Sequence, residues 1–279
     1  MVHVLGVSMP RSGHHLFERI LQNTLQDQIR YCEFYEQGCC KSIPCKSETK
    51  IAAHEATIFM QKSHDFEFTD PLTVAGTYRV IQYRSPVPRA LSNYELHLKS
   101  GPEDSLRTFR DFLVNEALYS ERFYKKWLAI RSPEMLLVSY EELTSHPLKV
   151  ILDFFEHIDM PVDLETVTKA VAKSVAVRLG KTAFAQSNIY SHRYANSPVL
   201  AKFEELVIQN CPGYYPVRYF SASNSPESLI GLIFRARKAI DEGDHVTAIS
   251  CAEAASKQDP QDALVKRILR RAGARSITS

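Results

Sequence analysis

The sequence opens on a short apolar run, Val2 to Ser8, that stops at Pro10-Arg11-Ser12-Gly13. Immediately after it, Leu16, Phe17, Ile20, Leu21 and Leu25 recur at helical spacing, with Arg19, Gln22 and Asn23 on the other side. A buried strand, a tight turn and an amphipathic helix in direct succession point to a sheet flanked by helices. The rest of the chain repeats the alternation. Thr57–Gln61, Arg79–Tyr83 and Met135–Ser139 read as strands, and the near-continuous apolarity of the last suits a sheet covered on both faces. Helical patterns cover Val87–Lys99, Ser105–Ile130, Pro147–His157, Leu164–Lys173 and Ser197–Gln209. Strands alternating with helices predict an α/β fold with a mainly parallel central sheet.

Composition removes several function classes. Of 279 residues, 44% are hydrophobic and 24% charged, which is globular rather than disordered or collagen-like. Lys+Arg 34 against Asp+Glu 32 gives a net charge of +2. The chain therefore lacks the global basic field of a nucleic-acid binder, and any anion site must be local. No run approaches the ~18 apolar residues of a transmembrane segment. The opening run has no Lys or Arg before it and no small-residue cleavage site after it, so it reads as a strand and not as a signal peptide. With six cysteines and no export signal, a cytoplasmic location is expected.

Ser221-Ala-Ser-Asn-Ser-Pro226 is the best linker candidate, which predicts a main domain over 1–220 and a helical segment over 226–279. In that segment Ile233–Ile240, Ala248–Ala255 and Ala263–Ala272 read as helices, broken at Glu242-Gly243-Asp244 and Asp259-Pro260. The pattern resembles one tetratricopeptide unit, which would offer a surface to a protein partner. A single unit cannot bury its own faces, so an all-helical hairpin packed on the main domain is the other reading.

Three segments carry chemistry. In the first, the strand-to-helix turn Pro10-Arg11-Ser12-Gly13-His14-His15 offers unpaired amides and the positive end of a helix, with Gly13 allowing close approach of an anion. Arg11 adds charge and Ser12 a hydroxyl donor. The segment is not a Walker A loop, because the Gly-Lys-Ser/Thr ending is absent. In the second, Arg84 ends a strand, where open α/β sheets bind ligands, and Ser92 follows on a helix opened by Pro86 and Pro88. In the third, Lys62 and His64 stand two apart at another strand end and can face one cleft. An imidazole is suited to taking a hydroxyl proton near neutrality, and Asp65 is placed to orient it.

Together these segments resemble the sulfotransferases that use 3′-phosphoadenosine 5′-phosphosulfate (PAPS). Pro10–His15 is similar to that family's 5′-phosphosulfate loop. Arg84, Pro86 and Ser92 match its 3′-phosphate motif, with Ser85 where Asn or Asp is usual. Lys62 and His64 match its K-x-H, and Met135-Leu-Leu-Val-Ser-Tyr140-Glu141-Glu142-Leu143 is similar to a later strand that precedes a helix. The resemblance covers residues 2–218. It implies a P-loop-like three-layer fold and transfer of a sulfonate from PAPS to an acceptor hydroxyl, with a saccharide favoured over a small phenol. His64, Lys62 and Arg11 would be catalytic. Arg11, Ser12, Gly13, His14, His15, Arg84, Ser92 and Arg193 would hold the donor, with no metal required. Arg193 stands in for a motif that is not intact. Leu16 replaces an adenine-stacking Trp common in cytosolic members, and His14 and His15 are rival bases.

Tyr31, Phe34, Tyr35, Tyr94 and Tyr124 could line an acceptor cleft or belong to the core. Cys32, Cys39, Cys40 and Cys45, with His54 nearby, read as thiols in a loop beside that cleft. Adjacent Cys39 and Cys40 do not suit one tetrahedron, so no metal ligand is assigned, although a zinc site and a disulfide stay open. Two rival functions remain. One is a P-loop nucleotide kinase, and the other is a non-catalytic adaptor acting through 226–279.

Overall fold

The computed structural model describes residues 1–39, 41–42, 45, 56–65, 77–129, 132–211 and 228–276. The expected linker Ser221–Pro226, together with Cys40 and His54, lies outside the described residues. The chain forms two compact units, Met1–Asn93 with Lys126–Tyr190, and Tyr94–Lys125 with Ser191–Ser279.

Among the described residues the first unit is built on five strands: β1 Val2–Ser8, β2 Ile29–Glu33, β3 Ile58–Ser63, β4 Tyr78–Tyr83 and β5 Met135–Ser139. Their order is β2-β3-β1-β4-β5, and every neighbouring pair is parallel. The expected α/β class with a parallel sheet is therefore observed. Four strands stand within two residues of their sequence-read positions, whereas β2 was not foreseen. It is short, lies at the sheet edge and carries Arg30 and Glu33, so it lacks a strand's apolar pattern.

Helix α1, His14–Leu25, buries Leu16, Phe17, Ile20 and Leu21 in one cluster with Val4 and Val80 of the sheet. Each such side chain is worth ~1.5–3 kcal/mol of burial. The ring of Phe17 meets Phe154 edge-on at 5.3 Å. β5 runs into a short helix, Tyr140–Ser145, whose N-cap is Ser139. Ser139 Oγ accepts from the Glu142 amide and donates to the Glu142 carboxylate. The cap precedes Tyr140, whose ring stands beside the turn after β1. A longer helix, Leu164–Ser191, extends well past the expected end at Lys173.

The second unit is helical. It contains α3 Leu106–Phe123, α7 Pro198–Asn210, α8 Leu229–Glu242, α9 His245–Gln258 and α10 Ala263–Ser276, in chain-order numbering that counts Pro86–Leu98 as α2 and the helices at 140, 147 and 164 as α4 to α6. Tyr94 is fully buried, ringed by Phe109, Phe112, His192 and Tyr194, and its hydroxyl donates to Asp104. Tyr124 is buried too. Both are packing residues rather than cleft aromatics.

Helices α8 to α10 are integral to this unit. α8 buries Ile230, Leu232, Ile233 and Phe234, and it packs against both α3 and α7. Arg110 of α3 pairs with the buried Asp262 that caps α10, and Lys238 pairs with Glu121 at 2.5 Å. No helix among the described residues is long and apolar enough to cross a membrane.

Candidate anion-binding and transfer site

In a doubly wound sheet the crevice opens where successive crossovers diverge. Here that point lies between β1 and β4, beyond their C-terminal ends. The turn after β1 is contorted. Arg11 has φ 66 and Gly13 φ 88, both left-handed. A Cβ on Gly13 would stand 2.8 Å from Tyr140 Cδ2 and 3.3 Å from Leu143, so both the dihedral and the space require glycine. Because α1 starts at His14 and the Leu16 and Phe17 amides donate to Gly13 O, the amides of His14 and His15 precede the helical ladder. No acidic side chain occupies the first turn of α1, so its positive end is unneutralised.

Ser12 departs from expectation. Its hydroxyl lies 2.5 Å from Met9 O and 3.2 Å from Gln82 O and is fully buried. A hydroxyl has one proton, and here it latches the turn to β4 instead of facing an anion.

The turn meets the end of β4. Arg84 Nη1 donates to Arg11 O at 3.2 Å, and Arg11 Nε donates to Ser92 Oγ at 2.9 Å. The Arg84 guanidinium lies over the Tyr140 ring at 4.1 Å, while the Ser85 amide donates to Glu141. Two motifs that are 73 residues apart, Arg11 and Arg84, thus share one crevice. Tyr140 and Glu141 support them from the segment after β5.

On the other side of β1, His64 Nδ1 donates to Ser8 O at 2.6 Å, which leaves Nε2 as the acceptor nitrogen. Nε2 stands 2.8 Å from Lys62 Nζ, and that ammonium reaches Glu33 Oε1 at 2.5 Å. Glu33 and Lys62 are register partners on β2 and β3, so the pleat sends both to one face. Burial and the Lys62 charge hold the His64 pKa down to about 4. Lys62 is held below the ordinary lysine value by burial, which outweighs the opposing pull of Glu33. His14 is pushed down to about 2 by burial and neighbouring cations, and its buried Nε2 has no hydrogen-bond partner among the described residues. His15 is largely exposed, 3.5 Å from Glu18.

Arg11, Ser12, Gly13, His14, His15, Lys62, His64, Arg84 and Ser92 therefore all belong to the sheet-bearing unit. Arg193 belongs to the helical unit, where it is paired with Asp104 at 2.8 Å. Asp65 does not orient His64. Its carboxylate accepts from Lys126 at 2.6 Å and from Trp127 Nε1 at 2.7 Å, and the Ser8 carbonyl does the orienting. Sequence reasoning missed Glu33, whose only signal is its register opposite Lys62.

The chain matches no protein-family model, and no curated protein matches it. Among solved structures it is similar to mouse sulfotransferase SULT7A1 complexed with PAP, with 14% identity, a TM-score of 0.44, and cover of 73% of this chain and 88% of that one. It is also similar to a sulfotransferase from Alicyclobacillus acidocaldarius, with 14% identity, a TM-score of 0.42, and cover of 68% and 98%.

Proposed function

We propose that the chain is a sulfotransferase that moves a sulfonate from PAPS to an acceptor hydroxyl, with a saccharide as the favoured acceptor. The observation that carries this reading is the meeting of Arg11 with Ser92 and of Arg84 with the Arg11 carbonyl at the switch point. One crevice thereby gains cations for two separate anionic groups, as a nucleotide with both 3′ and 5′ phosphates needs. The glycine cradle at Gly13 fits an anionic ligand at the same turn.

In this reading the amides at the start of α1 and the Arg11 side chain hold the 5′-phosphate. Ser12 contributes by keeping the turn in shape. Arg84 and Ser92 hold the 3′-phosphate, with Arg193 assigned there by sequence resemblance alone. The donor supplies a sulfonate bonded to a phosphate leaving group. As the acceptor oxygen bonds to sulfur, its proton passes to His64 Nε2, and the electron pair of the broken S–O bond leaves on the 5′-phosphate. His64 can take that proton only after Lys62 Nζ turns away from Nε2. The released ammonium is then available to the negative charge on the transferring group and the leaving oxygen. Positioning and charge carry such a step, as in phosphoryl transfer.

The test is transfer of labelled sulfonate from PAPS to a panel of saccharide and phenolic acceptors. Label appearing on an acceptor supports the reading. A melting temperature raised by ATP with Mg²⁺, but not by adenosine 3′,5′-bisphosphate, would favour a nucleotide kinase instead.

A further inference from the structure

Outside the crevice, the described residues bring together a set of soft ligands that the transfer reaction does not use. Cys32 lies in β2 and is fully buried, Cys45 is buried, and Cys39 is partly exposed. Their three sulfurs all lie within 4.8 Å of one another, against Phe59 of β3. The chain doubles back to make the cluster. The Glu36 amide donates to Glu33 O, the Cys39 amide donates to Glu36 O, and Gly38 takes φ 86. Lys41 Nζ ties the reversal with bonds to Phe34 O at 2.5 Å and Glu36 O at 3.1 Å.

Sulfurs bonded to one zinc ion at ~2.3 Å stand ~3.8 Å apart in a tetrahedron. The widest pair here would have to close by about 1 Å, within reach of side-chain rotation. The sequence alone argued against a shared tetrahedron because Cys39 and Cys40 are adjacent. The cluster avoids that obstacle, since it uses Cys39 with Cys32 and Cys45. Cys40 and His54 lie outside the described residues.

We infer that Cys32, Cys39 and Cys45 bind one zinc ion as three thiolates, in a structural site with a fourth coordination position left for another ligand. On binding, each thiol gives up its proton to solvent and its sulfur donates to the metal, with no change of redox state. The ion would clamp the turn after β2 onto β3. Glu33, next to Cys32, is the carboxylate partner of Lys62, so the clamp would hold that end of β2 in register with the transfer site.

The test uses the full chain, purified under a phosphine reductant without chelators. Elemental analysis should find one zinc per chain that survives dialysis. Cobalt(II) added to the metal-stripped chain should give a near-ultraviolet thiolate-to-metal charge-transfer band, which zinc abolishes. Cys39→Ser, the least buried position, should weaken cobalt binding by more than the roughly 10–100-fold typical of losing an outer-shell partner. Cys251→Ser should leave it unchanged. The inference is overturned if the reduced wild-type chain retains no zinc and shows no such band. It is equally overturned if Cys39→Ser binds cobalt as tightly as the wild type, or if two of the three sulfurs are found joined as a disulfide in a chain purified without reductant. None of these readouts depends on sulfonate transfer, so the metal site and the proposed reaction fail separately.

Discussion

In the proposed reaction His64 is the residue on which the chemistry turns. With Nδ1 committed to Ser8 O, its acceptor lone pair is on Nε2, facing Lys62 Nζ, and burial beside Lys62 keeps the ring neutral down to about pH 4. The acid limb of the transfer rate should therefore have its midpoint near 4 instead of the usual 6.5. Single-turnover rates between pH 3.5 and 8 check this, and a limb centred at 6.5 or above would contradict it. His64→Ala should lower turnover by roughly 10²–10⁴-fold with donor binding nearly intact. His14→Ala and His15→Ala should act mainly on donor affinity. The same depressed pKa bears on stability. As pH falls below 6.5 the unfolded chain takes up a proton at this site before the folded one does, so stability is lost between 6.5 and about 4. Gly13 is the second critical residue. Gly13→Ala forces an alanine to φ 88 and puts its Cβ against Tyr140, so a loss of about 1–3 kcal/mol is expected, together with weaker nucleotide binding. Chemical denaturation measures the first effect. Adding Tyr140→Ala should recover only part of it, because the clash goes but the dihedral stays.

At the scale of elements, the site is made where strand ends meet turns. Glu33 at the end of β2 neutralises Lys62 at the end of β3. Glu33→Gln removes that anion from a buried ammonium and should cost about 1–3 kcal/mol. Without the carboxylate, Lys62 sheds its proton at lower pH, so the alkaline limb of the rate profile should move down. An unmoved limb would show that Lys62 does not titrate in the reaction. Most of the crevice was legible in the sequence because its parts sit at the ends of apolar strands, where Arg11, Lys62, His64 and Arg84 interrupt the pattern. Glu33 was not legible. Its pairing exists only through the register of an edge strand that carries no apolar signature. Ser12 and Asp65 make contacts that their place in the sequence does not reveal, for a related reason. A hydroxyl and a carboxylate near the site look functional in one dimension, yet both are bound to the fold, to Met9 O and Gln82 O in one case and to Lys126 and Trp127 in the other. The short helix at Tyr140 shows the opposite situation, since its start is a local feature in which the Ser139 hydroxyl accepts from the Glu142 amide.

At the scale of the whole molecule, the chain divides its labour between a unit carrying the described crevice residues and a helical unit into which α8 to α10 are packed. Cutting the chain after Ser225 removes the apolar face of α8 and the Asp262 partner of Arg110. The truncated chain is expected to lose part of its cooperative melt or its solubility. A full, sharp transition from the shortened chain would instead make 226–279 a separable appendage. The central claim is that one crevice at the β1/β4 switch point binds two anionic groups of a single nucleotide. Calorimetry with adenosine 3′,5′-bisphosphate and AMP, on the wild-type chain and on Arg84→Ala, tests it most directly. The wild type should bind the bisphosphate more tightly. Arg84→Ala should weaken the bisphosphate by about 1.5–3 kcal/mol, the worth of a charge-assisted contact, and leave AMP nearly unchanged. Equal losses for both ligands, or no preference for the bisphosphate in the wild type, would contradict the account.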